Sequence, residues 1–246
     1  MLHPALWGLT FGSVVEWNMD VGSGRCIRAK IARLISIVFL LPCLLLVDFR
    51  AASGAEPAPK GLYHASVVNG DILGSAFMIS DGMVVTNAHV VVGRRAGQKI
   101  KLISPSGKRF TARVEAVSKQ MDLAILSVPN NTLRVVPAVG RHAQRGARVS
   151  AVGIVADSGN PGQRYTVQGI VSSEARELAP FGRGVIANMP HVRKGFSGGP
   201  VFDGNGGFVG MVAALRPAQV SPSGNREAFI LLAADIHAEI ARLTIR

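Results

Sequence analysis

Short runs of β-branched and aromatic residues, parted by turn residues, predict an all-β fold for most of this 246-residue chain. Two further observations shape that expectation. The runs fall into two sets of about six on either side of a looser segment, 129–148. The tail from Ala233 then spaces Ile236, Ile240 and Leu243 as one face of a helix. Two strand-rich halves of similar construction, about 61–145 and 146–232, should therefore precede one C-terminal helix. No sequence repeat relates the halves, so their likeness rests on element count alone.

The first 55 residues read differently. Arg25, Arg28, Lys30 and Arg33 precede an apolar run, 34–47, after which Asp48-Phe49-Arg50 leads into the small residues Ala51-Ala52-Ser53-Gly54-Ala55. That order is expected of a secretory signal peptide. The run falls short of the roughly 18 to 20 apolar residues of a spanning helix, so cleavage near Ala55 is expected. An uncleaved segment, anchoring the chain in a membrane, is the alternative. Leu40-Leu41-Pro42-Cys43 resembles a lipoprotein box only superficially, because Pro42 stands where a small residue is needed. Residues 1–18 lie ahead of a normal signal, and Met19 is an alternative start. Glu56-Pro57-Ala58-Pro59-Lys60 reads as an extended linker, its two prolines lacking N–H donors and fixing φ.

The body then runs from 56 to 246. Strands are expected at 63–68, 75–79, 83–88, 99–103, 110–118 and 123–128. Turns fall at Asn69-Gly70-Asp71, Ser80-Asp81-Gly82 and Pro105-Ser106-Gly107, whose residues tolerate tight or left-handed backbone. The second set is expected at 149–154, 163–173, 184–189, 199–202, 208–214 and 228–232.

Composition narrows the function classes. A hydrophobic fraction of 48% with 28 glycines excludes a disordered chain and suits a turn-rich globular body. From Glu56 onward 22 Lys and Arg face 12 acids, a net charge of +10, so the body is basic without its leader. Arg94, Arg95, Lys99, Lys101, Lys108, Arg109 and Arg113 concentrate that charge. Several alternate with apolar residues as the solvent face of strands would, and no aromatics interleave to stack bases, so no nucleic-acid partner is expected. Cys26 and Cys43 both lie in the leader, which leaves the body without disulfide or zinc chemistry and suited to an oxidising compartment.

The chemistry concentrates in Lys194-Gly195-Phe196-Ser197-Gly198-Gly199-Pro200-Val201. A serine hydroxyl attacks a carbonyl only where the backbone turns sharply and bare N–H groups meet the oxyanion, and glycines permit both. Such a nucleophile needs a base, and the base an orienting acid. Of His3, His64, His89, His142, His191 and His237, His89 stands out at the end of the apolar stretch Val84-Val85-Thr86-Asn87-Ala88-His89. Asp122 opens Asp122-Leu123-Ala124-Ile125-Leu126, and an acid there could fix the imidazole tautomer. Taken singly these residues also fit a glycine-serine hairpin, a core histidine and a strand-entry aspartate.

Taken together, in the order His, Asp, Ser, they resemble the trypsin-like serine peptidases of chymotrypsin fold, especially the HtrA/Deg branch. Gly74-Ser75-Ala76-Phe77, Thr166-Val167-Gln168-Gly169-Ile170-Val171-Ser172 and Gly207-Phe208-Val209-Gly210-Met211 extend the resemblance over about 61–240. It implies two packed six-stranded antiparallel β-barrels, with His89 and Asp122 from the first and Ser197 from the second. It also implies an oxyanion hole made of the Gly195 and Ser197 N–H groups, each such donor worth roughly 10² to 10³ in rate. An exported serine endopeptidase, periplasmic or secreted, acting on protein or peptide substrates without cofactor or metal, is the expectation.

Three departures qualify it. Phe196 stands where the family usually has a small polar residue, and a ring packed outward would leave the N–H groups aimed. It also cannot pair with a newly freed N-terminal ammonium, which disfavours activation by that route. With 49 residues following Ser197 in this sequence, the PDZ domain common in the HtrA/Deg branch is not expected. By resemblance the primary pocket is walled by 188–194 and 211–214, with His191, Met211, Val212 and Ala213 as its residues. No acid lies there to receive Lys or Arg, so small or medium aliphatic side chains are expected. A binding module impaired at Phe196, or an esterase using the same triad, are the rival functions. Asp203-Gly204-Asn205-Gly206-Gly207 reads as a hairpin turn, lacking the acids of a calcium loop.

Overall fold

A computed structural model describes residues 63–245, apart from 141–142, 157–158, 161–162, 217–220 and 222–224. The expected signal peptide and linker, with His3 and His142, lie outside these residues. Strands β1 (His64–Asn69), β2 (Ile72–Ser80), β3 (Met83–Thr86), β4 (Lys99–Ile103), β5 (Arg109–Val117) and β6 (Ala124–Ser127) form the first half. They close into a barrel in the order β1-β2-β3-β6-β5-β4, every pairing antiparallel. The two-residue loops Gly70-Asp71 and Asp81-Gly82 set the first two hairpins, with Gly70 and Gly82 at φ of +60° and +75°, as tight hairpins require. Alternation then sorts the side chains: Lys99, Lys101, Arg109 and Arg113 face solvent, while Ile100, Leu102, Ala112 and Val114 fill the barrel.

The second half contains β7 (Arg148–Ile154), β8 (Arg164–Val171), β9 (Arg176–Leu178), β10 (Gly182–Asn188), β11 (Pro200–Asp203), β12 (Phe208–Arg216) and β13 (Glu227–Leu232). This corrects the expectation of a second six-stranded barrel. The half is a seven-stranded sheet in the order β13-β12-β11-β7-β8-β10-β9, with a further pairing between β10 and β13. The reason lies in how β10 is shared. It meets β8 only at Ala187↔Val171 and Asn188↔Ile170, and its opening residues Gly182, Arg183 and Gly184 pair instead with β9. The twelve expected strands are all present within a few residues of their expected bounds, and β9 is the unexpected thirteenth. The Asp203–Gly207 turn joins β11 to β12 as expected, with Asp203 Oδ1 accepting from the Asn205 and Gly207 amides.

Helix α1 (Ala233–Thr244) follows β13 directly and turns Ala233, Ile236 and Glu239 inward. Ala233 and Ile236 join a core cluster containing Phe77, Val85, Met121 and Leu123 of the first half and Phe202, Phe208, Met211 and Leu231 of the second. The two halves are thus packed through shared apolar side chains.

Candidate active site

Ser197 lies in the loop between β10 and β11. Gly195 and Gly198 hold φ of +103° and +83°, which a side chain at either position would strain. Space forbids one as well: a Cβ on Gly198 would fall 2.0 Å from the Ser75 carbonyl oxygen, and one on Gly199 2.1 Å from that of Val152. The loop is fastened by Gly198 N–H donating to Val212 O (2.8 Å), Gly199 N–H to Phe196 O (2.8 Å) and Val212 N–H to Gly199 O (2.9 Å). Among the described residues, the Gly195 and Ser197 N–H groups are spent on no acceptor. These are the two donors an oxyanion would need.

His89 begins a 3₁₀ turn, His89–Val91, just after β3. Buried Val90 and Val91 pin the turn to the barrel, and Asn69 Nδ2 donates to the carbonyls of Val90 (3.1 Å) and Val92 (2.9 Å). Asp122 sits in the turn between β5 and β6. Its Oδ2 is 2.7 Å from His89 Nδ1, and its Oδ1 accepts the His89 amide at 3.0 Å. Its own backbone is gripped on both sides: the Asp122 N–H donates to Phe181 O (2.8 Å), and Asn87 Nδ2 donates to Asp122 O (2.9 Å). Asp122 is 7% exposed and the His89 side chain 44%. A carboxylate can only accept at this contact, so the Nδ1 position is assigned the ring proton, which leaves Nε2 as the acceptor.

The two halves of the site meet across Gly74 and Ser75 of β2. A Cβ on Gly74 would lie 2.7 Å from Val90 Cγ1 and 3.3 Å from the Ser197 carbonyl oxygen, so this glycine is the thin wall between the histidine turn and the serine loop. Ser75 does the fastening. Its N–H donates to Ser197 O (2.8 Å), its Oγ donates to Gly195 O (2.7 Å) and accepts from Ile154 N–H (3.2 Å), and Thr86 Oγ1 donates to its carbonyl (2.7 Å). Sequence reasoning quoted Ser75 within a motif but gave it no role. Its signal was a serine directly before the apolar stretch Ala76-Phe77-Met78-Ile79.

Phe196 is fully buried, and its ring points inward, which answers the question its position left open. It joins Val149, Ala151, Val167, Val201 and Val212 in the core of the second half. Gly153 makes the room, since a Cβ there would lie 2.6 Å from the ring. An apolar ring at this position therefore anchors the serine loop from beneath while the flanking amides stay free. Of the four expected pocket residues, Met211, Val212 and Ala213 are buried in the core, and exposed His191 instead lines an open cleft of about 690 Å³ with Val155, Tyr165 and Arg193. The next residue along, Ala214, faces an apolar cleft of about 300 Å³ with Leu178, Phe181, Ile186 and Phe229, edged by the Arg216–Glu227 ion pair at 3.1 Å. Neither cleft has His89 or Ser197 in its lining.

Residues 74–211, more than half of the chain, match the family model of the trypsin-like peptidase domain. The serine protease Rv3671c of Mycobacterium tuberculosis is 30% identical over 181 residues, which are 69% of this chain and 42% of that protein. A probable periplasmic serine endoprotease of Bartonella henselae, described as DegP-like, is 34% identical over 176 residues, 69% of this chain and 32% of its own. The chain spans less than half the length of these curated relatives. Among solved structures, the serine endoprotease of Yersinia pestis shares the fold at a TM-score of 0.61 and 23% identity, over 76% of this chain and 63% of that one.

Proposed function

Because the chain belongs to the trypsin-like peptidase domain family, we propose that it is a serine endopeptidase in which Ser197, His89 and Asp122 carry the reaction. The observation that carries this reading is the Asp122–His89 pair, both carboxylate oxygens committed to one histidine, across Gly74 from a serine flanked by free amides. Ser197 Oγ attacks the scissile carbonyl carbon as its proton passes to His89 Nε2. The carbonyl oxygen gains the charge and lies between the Gly195 and Ser197 N–H groups. His89 then returns the proton to the departing amine nitrogen, the C–N bond breaks, and an acyl-enzyme remains. Water repeats the sequence and frees Ser197. Asp122 keeps the ring in the donating orientation throughout and takes no proton.

The buried ring of Phe196 supports this reading over a binding module, since the side chain lies on the core side of the loop and leaves the two amides clear. The apolar cleft beside Ala214 is the candidate seat for a substrate side chain, in keeping with an aliphatic preference. Export is the expected destination, resting on the basic flank and apolar run of the leader. A fluorescent active-site phosphonate should label the protein at Ser197, and Ser197→Ala should abolish both labelling and casein cleavage. Cleavage that persists in Ser197→Ala would sink the proposal.

A further inference from the structure

Helix α1 presents an unexpected residue to the interior. Its buried stripe reads Ala233, Ile236, Glu239, so a carboxylate occupies the third inward position, where an apolar side chain is the ordinary choice. That carboxylate is fully engaged. Arg242 grips it from the same helix, Nε to Oε2 at 2.7 Å and Nη2 to Oε1 at 2.6 Å. Its remaining partner lies across the molecule: Ser118 Oγ donates to Glu239 Oε1.

Ser118 closes the turn that carries Asp122. Its N–H donates to Leu123 O at 2.9 Å, spanning the turn's ends, and its Oγ accepts from the amides of Gln120 (3.0 Å) and Met121 (3.1 Å). A hydroxyl has one proton and two lone pairs. With the proton committed to Glu239, both lone pairs are turned onto the two amides that precede Asp122. Without that acceptor the hydroxyl is free to rotate, and these contacts lose their fixed direction. Asp122 follows directly, and a 2.7 Å contact to His89 Nδ1 tolerates little displacement.

We infer that Glu239 is a positioning residue for Asp122, acting from the C-terminal helix through Ser118 and the 118–122 turn. The inference rests on the triad reading above. It assigns the helix a part in the reaction geometry that neither the sequence motifs nor the family match supplies.

The test uses the full chain, wild type against Glu239→Ala and Glu239→Gln, with Ile236→Val as a control that loosens the helix by one methyl without touching Ser118. Two quantities are read: the rate constant and the apparent affinity for phosphonate labelling of Ser197, and the downfield proton resonance of the His89 Nδ1–H···Asp122 bond. Glu239→Ala should slow the labelling step about 10- to 100-fold with affinity unchanged, the size expected of a misplaced catalytic group, and should broaden or shift the resonance upfield. Glu239→Gln keeps an oxygen acceptor for Ser118 and should recover most of both signals. Unchanged rate and resonance in Glu239→Ala, or equal losses in Ile236→Val, would overturn the inference. Should wild type fail to label at Ser197 while the resonance still responds to Glu239→Ala, the triad reading falls and the coupling of Glu239 to Asp122 stands.

Discussion

His64 is a buried imidazole with no part in the proposed reaction, and it makes the stability of this protein depend on pH. It sits on β1 opposite Phe77, its Nε2 has no hydrogen-bond partner among the described residues, and burial, with the Arg164 charge adding to it, pushes its pKa down to about 3. The unfolded chain takes up the proton at the ordinary value near 6.5, while the folded chain refuses it until about pH 3. Stability should therefore be lost as pH falls through this window, at about 1.4 kcal/mol per pH unit for the single proton. Thermal melts of Ser197→Ala against pH, with and without His64→Leu, check it: the leucine variant should have the shallower slope, and equal slopes would refute the assignment. At this scale the proposed triad could be named from sequence, because Ser197, His89 and Asp122 each sit in a recognisable short motif, and the structure sets Asp122 against His89. Ser75 was not, because its bonds reach Gly195 and Ile154, far along the chain. The direction of the Phe196 ring was equally hidden, since it depends on the bare backbone of Gly153.

Among the elements, the β4–β5 hairpin is the one that runs against its own electrostatics. Lys99 and Arg113 are direct cross-strand partners and both are exposed, with no acid in an ion pair with either among the described residues. Like charges so placed repel, and an opposite pair is worth roughly 0.2 to 1 kcal/mol. Lys99→Glu should accordingly raise the melting temperature by about 1 to 4 °C in low salt, and 1 M salt should remove most of the gain. Calorimetry at the two ionic strengths reads this, and a lowered melting temperature in dilute buffer would contradict the register. Register also marks where legibility ended. Alternating apolar residues announced twelve strands, yet β9 has only three residues, Arg176-Glu177-Leu178, too few for any period to show. That short strand takes the first residues of β10 away from β8, and so the second half differs from the barrel that the family resemblance implies.

At the largest scale, the most extensive apolar cluster among the described residues is shared by both halves. Tyr63 meets Phe202 with ring centroids 5.3 Å apart, and Phe77 meets Phe208 at 5.1 Å, each pair joining the first half to the second. Aromatic pairs of this kind add about 0.5 to 1.5 kcal/mol beyond the area they bury. Ile236 of the helix closes the same cluster. Sequence periodicity shows which side chains turn inward but not which partner they turn toward, so this shared core could not be read from two sets of strands. Its consequence is cooperative unfolding, since neither half can open without exposing the other's rings. Scanning calorimetry of Ser197→Ala should give one transition with equal calorimetric and van't Hoff enthalpies. Phe208→Ala, which costs about 3 to 5 kcal/mol, should lower that transition as a unit, without splitting it. Far-UV and near-UV circular dichroism should follow the same curve. Two resolved transitions in the parent would show that the halves fold separately and that the shared cluster is too weak to bind them.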